Sequence, residues 1–179
     1  FAGAVPDIGT NRNLDNLDIE VSEVRDSIKP MVQNASLNLS TGVLKITASE
    51  YLDFIPKANV DLSKFFISNI TGGDTISLVG AKIHEVDGYT CTITLTELQR
   101  SLAIAISGTD GGDGSGAYLD IYAGGVRDHG KNLNMNNLGL LIDETDDTIA
   151  PLLQLGLVNF GTGIVTIRAS ETLDVTPHE

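Results

Sequence analysis

Tryptophan is absent from this chain, cysteine occurs once, and basic residues are few. A single Cys excludes an intrachain disulfide framework and leaves the redox compartment unmarked. With 11 Lys and Arg against 24 Asp and Glu, the net charge is −13. No basic patch is then available to release counterions from phosphates, so nucleic acid is not expected as a partner and cations are favoured. No apolar run reaches the roughly 18 residues of a spanning helix, so no membrane segment is expected. Aromatics amount to only 5%, which predicts an aliphatic core and argues against an aromatic platform for sugars. Glycine, by contrast, is plentiful at 19 residues, beside a hydrophobic content of 41%. That balance describes a turn-rich globular chain rather than a disordered one.

Internal repetition dominates the rest. Residues 1–58 lie over residues 122–179 at a constant offset of 121 without a gap, and 24 of the 58 pairs are identical. The matches include Asp7/Asp128, Gly9/Gly130, Asn11/Asn132, Asn13/Asn134, Glu23/Glu144, Asp26/Asp147, Pro30/Pro151, Glu50/Glu171 and Asp53/Asp174. A period of this length is one ordinary domain, so it predicts a tandem array. The expected partition is 1–25 as closing strands of a preceding repeat, 26–145 as a complete repeat, and 146–179 as opening strands of the following one. The chain is expected to be a window onto a much longer protein.

Leu17, Ile19 and Val21 alternate with Asp18 and Glu20, as Leu138, Leu140 and Ile142 alternate with their neighbours. This is the period of a strand with one wet face. Residues 24–30 and 145–151 are acidic junctions closed by a Pro. Ala35, Leu37 and Leu39, then Thr41-Gly42, then Leu44, Ile46 and Ala48 read as a hairpin. Further strands are expected over 64–68, 75–79, 81–86, 89–95 and 117–122, with Asp87-Gly88 as a tight turn. Thr96-Glu-Leu-Gln99 reads as a capping box opening the one helix, which runs to about Ile106 with Leu98, Leu102 and Ile106 on one face. The glycine-rich stretch 108–116 is a loop. Together these predict a two-sheet antiparallel sandwich with the helix as a crossover.

The succession of acidic junction and Pro, strand, Thr-Gly turn, strand, Ser-Glu-x-Leu-Asp and a Leu-Thr-Glu-Leu-Gln-Arg helix resembles the Ig-like repeats of very large secreted microbial surface proteins. Their domains close on a Val-x-Asp-x-x-Gly-Asn phrase. Here it stands as Val5-Pro-Asp7-Ile-Gly9-Thr-Asn11 and Val126-Arg-Asp128-His-Gly130-Lys-Asn132, with one residue inserted before the Asn. The resemblance implies an all-β, Ig-like antiparallel β-sandwich repeat in a tandem array. It also implies an extracellular or cell-surface building block of an adhesin, sheath or fibril, and no catalytic residues.

The Asp/Asn loops offer oxygen ligands at alternate positions, which suits Ca²⁺. One candidate set is Asp7, Asn11 and Asn13 with Glu23 and Asp26; the other is Asp128, Asn132 and Asn134 with Glu144 and Asp147. The plainer reading is that these side chains close a β-turn. Glu50 and Asp53 form a carboxylate pair, but no nucleophile accompanies them, so turn capping is expected and an enzyme is not. Cys91 shares a face with Tyr89, Ile93 and Leu95 and reads as a small core hydrophobe. His84, His129 and His178 lack ligand-spaced partners. Asn34, Asn38 and Asn69 open N-glycosylation sequons placed to face solvent. The functional expectation is a glycosylated structural module of an extracellular fibre, filament or stalk, joined head to tail to neighbouring copies. The alternative is a Ca²⁺-dependent adhesin or carbohydrate-binding module.

Overall fold

Residues 2–15 and 17–175 are described by a computed structural model. In chain order the elements are β1 Val32–Asn38, β2 Val43–Leu52, β3 Phe65–Ser68, β4 Ile76–Ser77, β5 Lys82–Ile83, β6 Gly88–Thr94, α1 Glu97–Ala105, β7 Tyr118–Ile121, β8 Asn137–Thr145, β9 Leu153–Asn159 and β10 Ile164–Ala169. The regular structure is thus mostly strand, with one α-helix among the described residues. Eight strands form one curled mixed sheet in the order β4-β3-β7-β8-β1-β2-β6-β5, and β9 and β10 form a separate hairpin. Among the described residues no helix is long and apolar enough to cross a membrane.

Alternation drives the packing, because every second side chain of a strand faces the same way. Leu37, Leu44, Ile46 and Ile93 from one half of the sheet share a core with Phe65, Ile67, Leu119 and Ile121 from the other half. Each is buried, and each contributes about 1.5–3 kcal/mol relative to an exposed position. Cys91 lies in the same core, as its strand period requires.

The antiparallel expectation fails at one pair. β1 and β8 run parallel, with Ala35 opposite Ile142 and Leu37 opposite Glu144. These strands open and close the unit, and parallel neighbours need a long connection that no tight turn provides. The Asp87-Gly88 turn also differs. β5 and β6 do pair, but the Asp87 carboxylate accepts from the Phe54 and Ile55 amides at 2.7 and 2.9 Å instead of closing a two-residue loop.

On α1 the capping box between Thr96 and Gln99 is formed. Leu98 and Leu102, however, are exposed, while Gln99, Arg100 and Ala103 are buried. Gln99 satisfies its amide by donating to the Ser77 and Val79 carbonyls at 2.8 and 3.0 Å, which is the condition for burying such a group. The glycine-rich loop closes tightly at Gly112, where an added Cβ would collide with the Ser107 carbonyl. The buried Asp120 carboxylate accepts from Gly139 N at 2.6 Å, Gly72 N at 2.7 Å and Ser68 Oγ at 3.3 Å.

The sequence repeat is also a repeat of hydrogen bonds. Asp7 N donates to Asn11 O, Thr10 N to Asp7 O and Asn13 N to Val5 O; the same bonds recur from Asp128, Lys131 and Asn134. β9–β10 reproduces the register of β1–β2, with Ile164 opposite Asn159 as Val43 is opposite Asn38. Burial separates the copies. β9 and β10 are exposed along almost their whole length, whereas β1 and β2 send alternate side chains into the core. The strand expected at Leu17, Ile19 and Val21 is not formed. Among the described residues that segment pairs with no strand, whereas its counterpart β8 sits between β7 and β1.

Candidate functional site

The junction ahead of β1 brings Asp26 against the end of β2 and the loop that carries Asp128. Oxygens of Asp26, Glu50 and Asp128 all lie within 4.8 Å of one another. A bridge between Leu52 and Asp128 fixes the loop on the strand. Asp128 is buried, and its carboxylate accepts from Asn132 N at 2.8 Å and Asn132 Nδ2 at 2.9 Å. Asp26 accepts from Ile28 N at 3.0 Å. A Cβ on Gly130 would stand 2.8 Å from Asp26 Oδ2, so glycine lets this loop close over the junction.

Glu50 Oε1 is shielded and accepts no hydrogen bond. Burial, and then the charges of Asp128 and Asp26, push the Glu50 carboxyl above its ordinary range. Clustered hard oxygens with an unused lone pair are the donor set of a divalent cation such as Ca²⁺. Beside the cluster, Tyr51 packs edge-on against Tyr89 and tilted against His129, with centroids 5.6 and 5.3 Å apart.

Of the ten residues expected around Ca²⁺, the structure therefore joins Asp26 and Asp128 and adds Glu50, which the sequence placed in a turn. Asn132 and Asn134 hold the loop rather than the centre. Asn134 donates to the Tyr122 and Met135 carbonyls and accepts from Val126 N. Asp7, Asn11 and Asn13 form the same loop fully exposed, and the Asn11 side-chain and backbone hydrogen bonds hold Asp7 below its usual range. Glu23 is exposed. Glu144 accepts from the Gly108 and Ala117 amides, tying the glycine-rich loop to β8.

Asp147 belongs to a second cluster. Arg100, whose side chain is 8% exposed, reaches Asp147 at 2.5 Å, Glu171 at 2.7 Å and Glu97 at 2.8 Å, and donates to the Leu39 carbonyl at 2.8 Å. Thr172 N donates to Glu97 as well. Hydrogen bonds from Arg100 pull Glu97 down to about 2. Asp147 and Glu171 are the counterparts of Asp26 and Glu50, so the same acidic pair holds a guanidinium in one copy and meets a third carboxylate in the other. Sequence reasoning missed Arg100, because the repeated acids it binds lie 47 and 71 residues further along the chain.

Against the cost of burial, Arg127 and Asn59 hold Asp53 below its usual range. His84 meets Thr94 Oγ1 at 2.8 Å, and His129 lies 3.5 Å from Asp87. His178 lies outside the described residues. Burial pushes the Cys91 thiol up to about 12, which leaves it unreactive as a nucleophile. Asn34 is exposed, Asn38 accepts from Thr41, and Asn69 donates to Asp113. Compared with protein-family models, curated proteins and solved structures, the chain matches none.

Proposed function

We propose that this chain is a structural repeat module of an extracellular fibre, filament or surface stalk, with Ig-like sandwich units joined head to tail. One observation carries the reading: two segments that are exposed here, β9–β10 and residues 17–24, are sequence copies of strands that are paired in the sheet. A concentration series by light scattering, with negatively stained images of the same samples, tests it. Elongated end-to-end particles are expected, and a monomer at every concentration would refute head-to-tail assembly.

A second reading is favoured by the Asp26–Glu50–Asp128 cluster and the tyrosines beside it: a Ca²⁺-dependent adhesin or carbohydrate-binding module. The folded value of Glu50 lies above its unfolded value. Its contribution to stability is therefore present below the ordinary carboxylate range and lost as pH rises through the folded value. In EDTA at neutral pH, Glu50→Gln is expected to raise Tm by a few degrees, and Ca²⁺ to raise Tm of the unmodified chain but not of the variant. Identical melting with Ca²⁺ and with EDTA would remove this reading.

Surface exposure makes Asn34 the foremost of the three sequons for N-linked sugar. Intact-glycopeptide mass spectrometry of native material finding Asn34 bare would remove it.

A further inference from the structure

We infer that residues 17–24 of one copy form the missing strand beside β9 of a second copy, parallel to it and in a fixed register. This rests on the head-to-tail reading and specifies its joint. The unit built on β1–β8 is the template. There β1 has β2 on one side and β8 on the other. β9–β10 is the counterpart of β1–β2 and carries the same turn and the same register, yet β9 pairs with β10 alone. The counterpart of β8 is the stretch ending at Val24. It is exposed and unpaired among the described residues, with Leu17, Ile19 and Val21 each more than 60% accessible.

Shifting the observed β1–β8 pairs by one period gives the joint. Ala35 opposite Ile142 becomes Gly156 opposite Val21, and Ser36 opposite Asp143 becomes Leu157 opposite Ser22. The bond from Leu39 N to Thr145 O becomes one from Phe160 N to Val24 O. A second anchor follows from the Leu52–Asp128 bridge, whose counterpart sets Leu173 against Asp7 of the incoming copy. Asp26 anchors the stretch after this segment at the Glu50–Asp128 end of β2, whereas Asp147 and Glu171 hold the β9–β10 stretch by Arg100 at the β1–β2 turn, so the partner is another copy of the unit, in a separate chain or a further repeat. Main-chain hydrogen bonds along a bare strand edge provide the attraction, and the alternating aliphatics fix the face. Since the segment leaves one copy and enters the next, the contact is heterologous and propagates.

The full chain tests this by sedimentation velocity over a concentration range. Val21→Pro/Ser22→Pro removes two amide donors from an exposed segment outside the core, so the unit stays folded while association is expected to disappear. A synthetic peptide of residues 14–27 is expected to bind the unmodified chain and shorten its assemblies. Mixing Ser22→Cys and Leu157→Cys chains under mild oxidation is expected to give a crosslinked pair, with the buried Cys91 silent. Association that survives the proline variant and ignores the peptide overturns this joint while leaving end-to-end assembly standing. No association of the unmodified chain overturns both.

Discussion

Replacing Asp120 with Ala is expected to lower the unfolding free energy by about 3–5 kcal/mol, the range for stranding several buried partners of one charged group. The carboxylate accepts from two amides and one hydroxyl. Ser68 can rotate its hydroxyl to another acceptor, but Gly72 N and Gly139 N cannot. Gly139 has φ +72° and lies against Thr71, so the 69–73 turn and the entry to β8 are held by the same side chain. Asp120→Asn keeps one acceptor oxygen and turns an amide toward a donor, so an intermediate loss is expected. Urea unfolding provides the measurement. An Ala variant within about 1 kcal/mol of the parent would show that the two amides find other acceptors.

Arg100→Met is expected to release the 146–175 segment from the unit while leaving the unit folded. The guanidinium is the common partner of Asp147, Glu171 and Glu97, and removing it leaves the partly shielded Asp147 and Glu171 facing each other without a cation, while Glu97 stays largely solvated. Because the acids are partly solvated, the coupling lost is expected to be about 1–2 kcal/mol, roughly tenfold in the docking equilibrium. Hydrogen exchange at the Thr172 amide, which donates to Glu97, reads it directly. The parent should show an acid dependence that the variant lacks. Glu97 is depressed to about 2, so its contribution is present above the ordinary carboxylate range and fades as pH falls toward that value. Equal Thr172 protection in parent and variant at neutral pH would mean that the hairpin docks by packing alone.

Much of the strand content was legible because alternation is a local signal. Leu37, Leu44, Ile46 and Ile93 were placed by period alone, and the Thr96–Gln99 capping box by spacing. The helix face was misread at Leu98 and Leu102. Hydrophobicity pointed them inward, whereas the buried positions went to Gln99 and Arg100, whose partners lie on β4, the β1–β2 turn and the 146–175 segment. Nothing local announces such a partner. The acid cluster was half legible for the same reason. Asp26 and Asp128 stood out as repeated acids beside turn residues, but Glu50 joins them only because Leu52 bridges to the Asp128 loop across the sheet. Parallel pairing of β1 with β8 was not legible either, since it depends on where the chain returns after more than a hundred residues.

That late return governs how the unit is made. β1 and β2 form a hairpin as soon as both have been synthesised, but Ala35 waits for Ile142. Closing a loop of that length carries an entropic cost of about 4 kcal/mol before the pairing contributes anything. Contacts this distant in sequence place refolding in the millisecond-to-second range rather than among fast helical folders. Throughout that interval the open side of β1 is the same kind of edge that β9 presents in the finished chain, so a nascent unit is a competitor for its neighbour's closing strand.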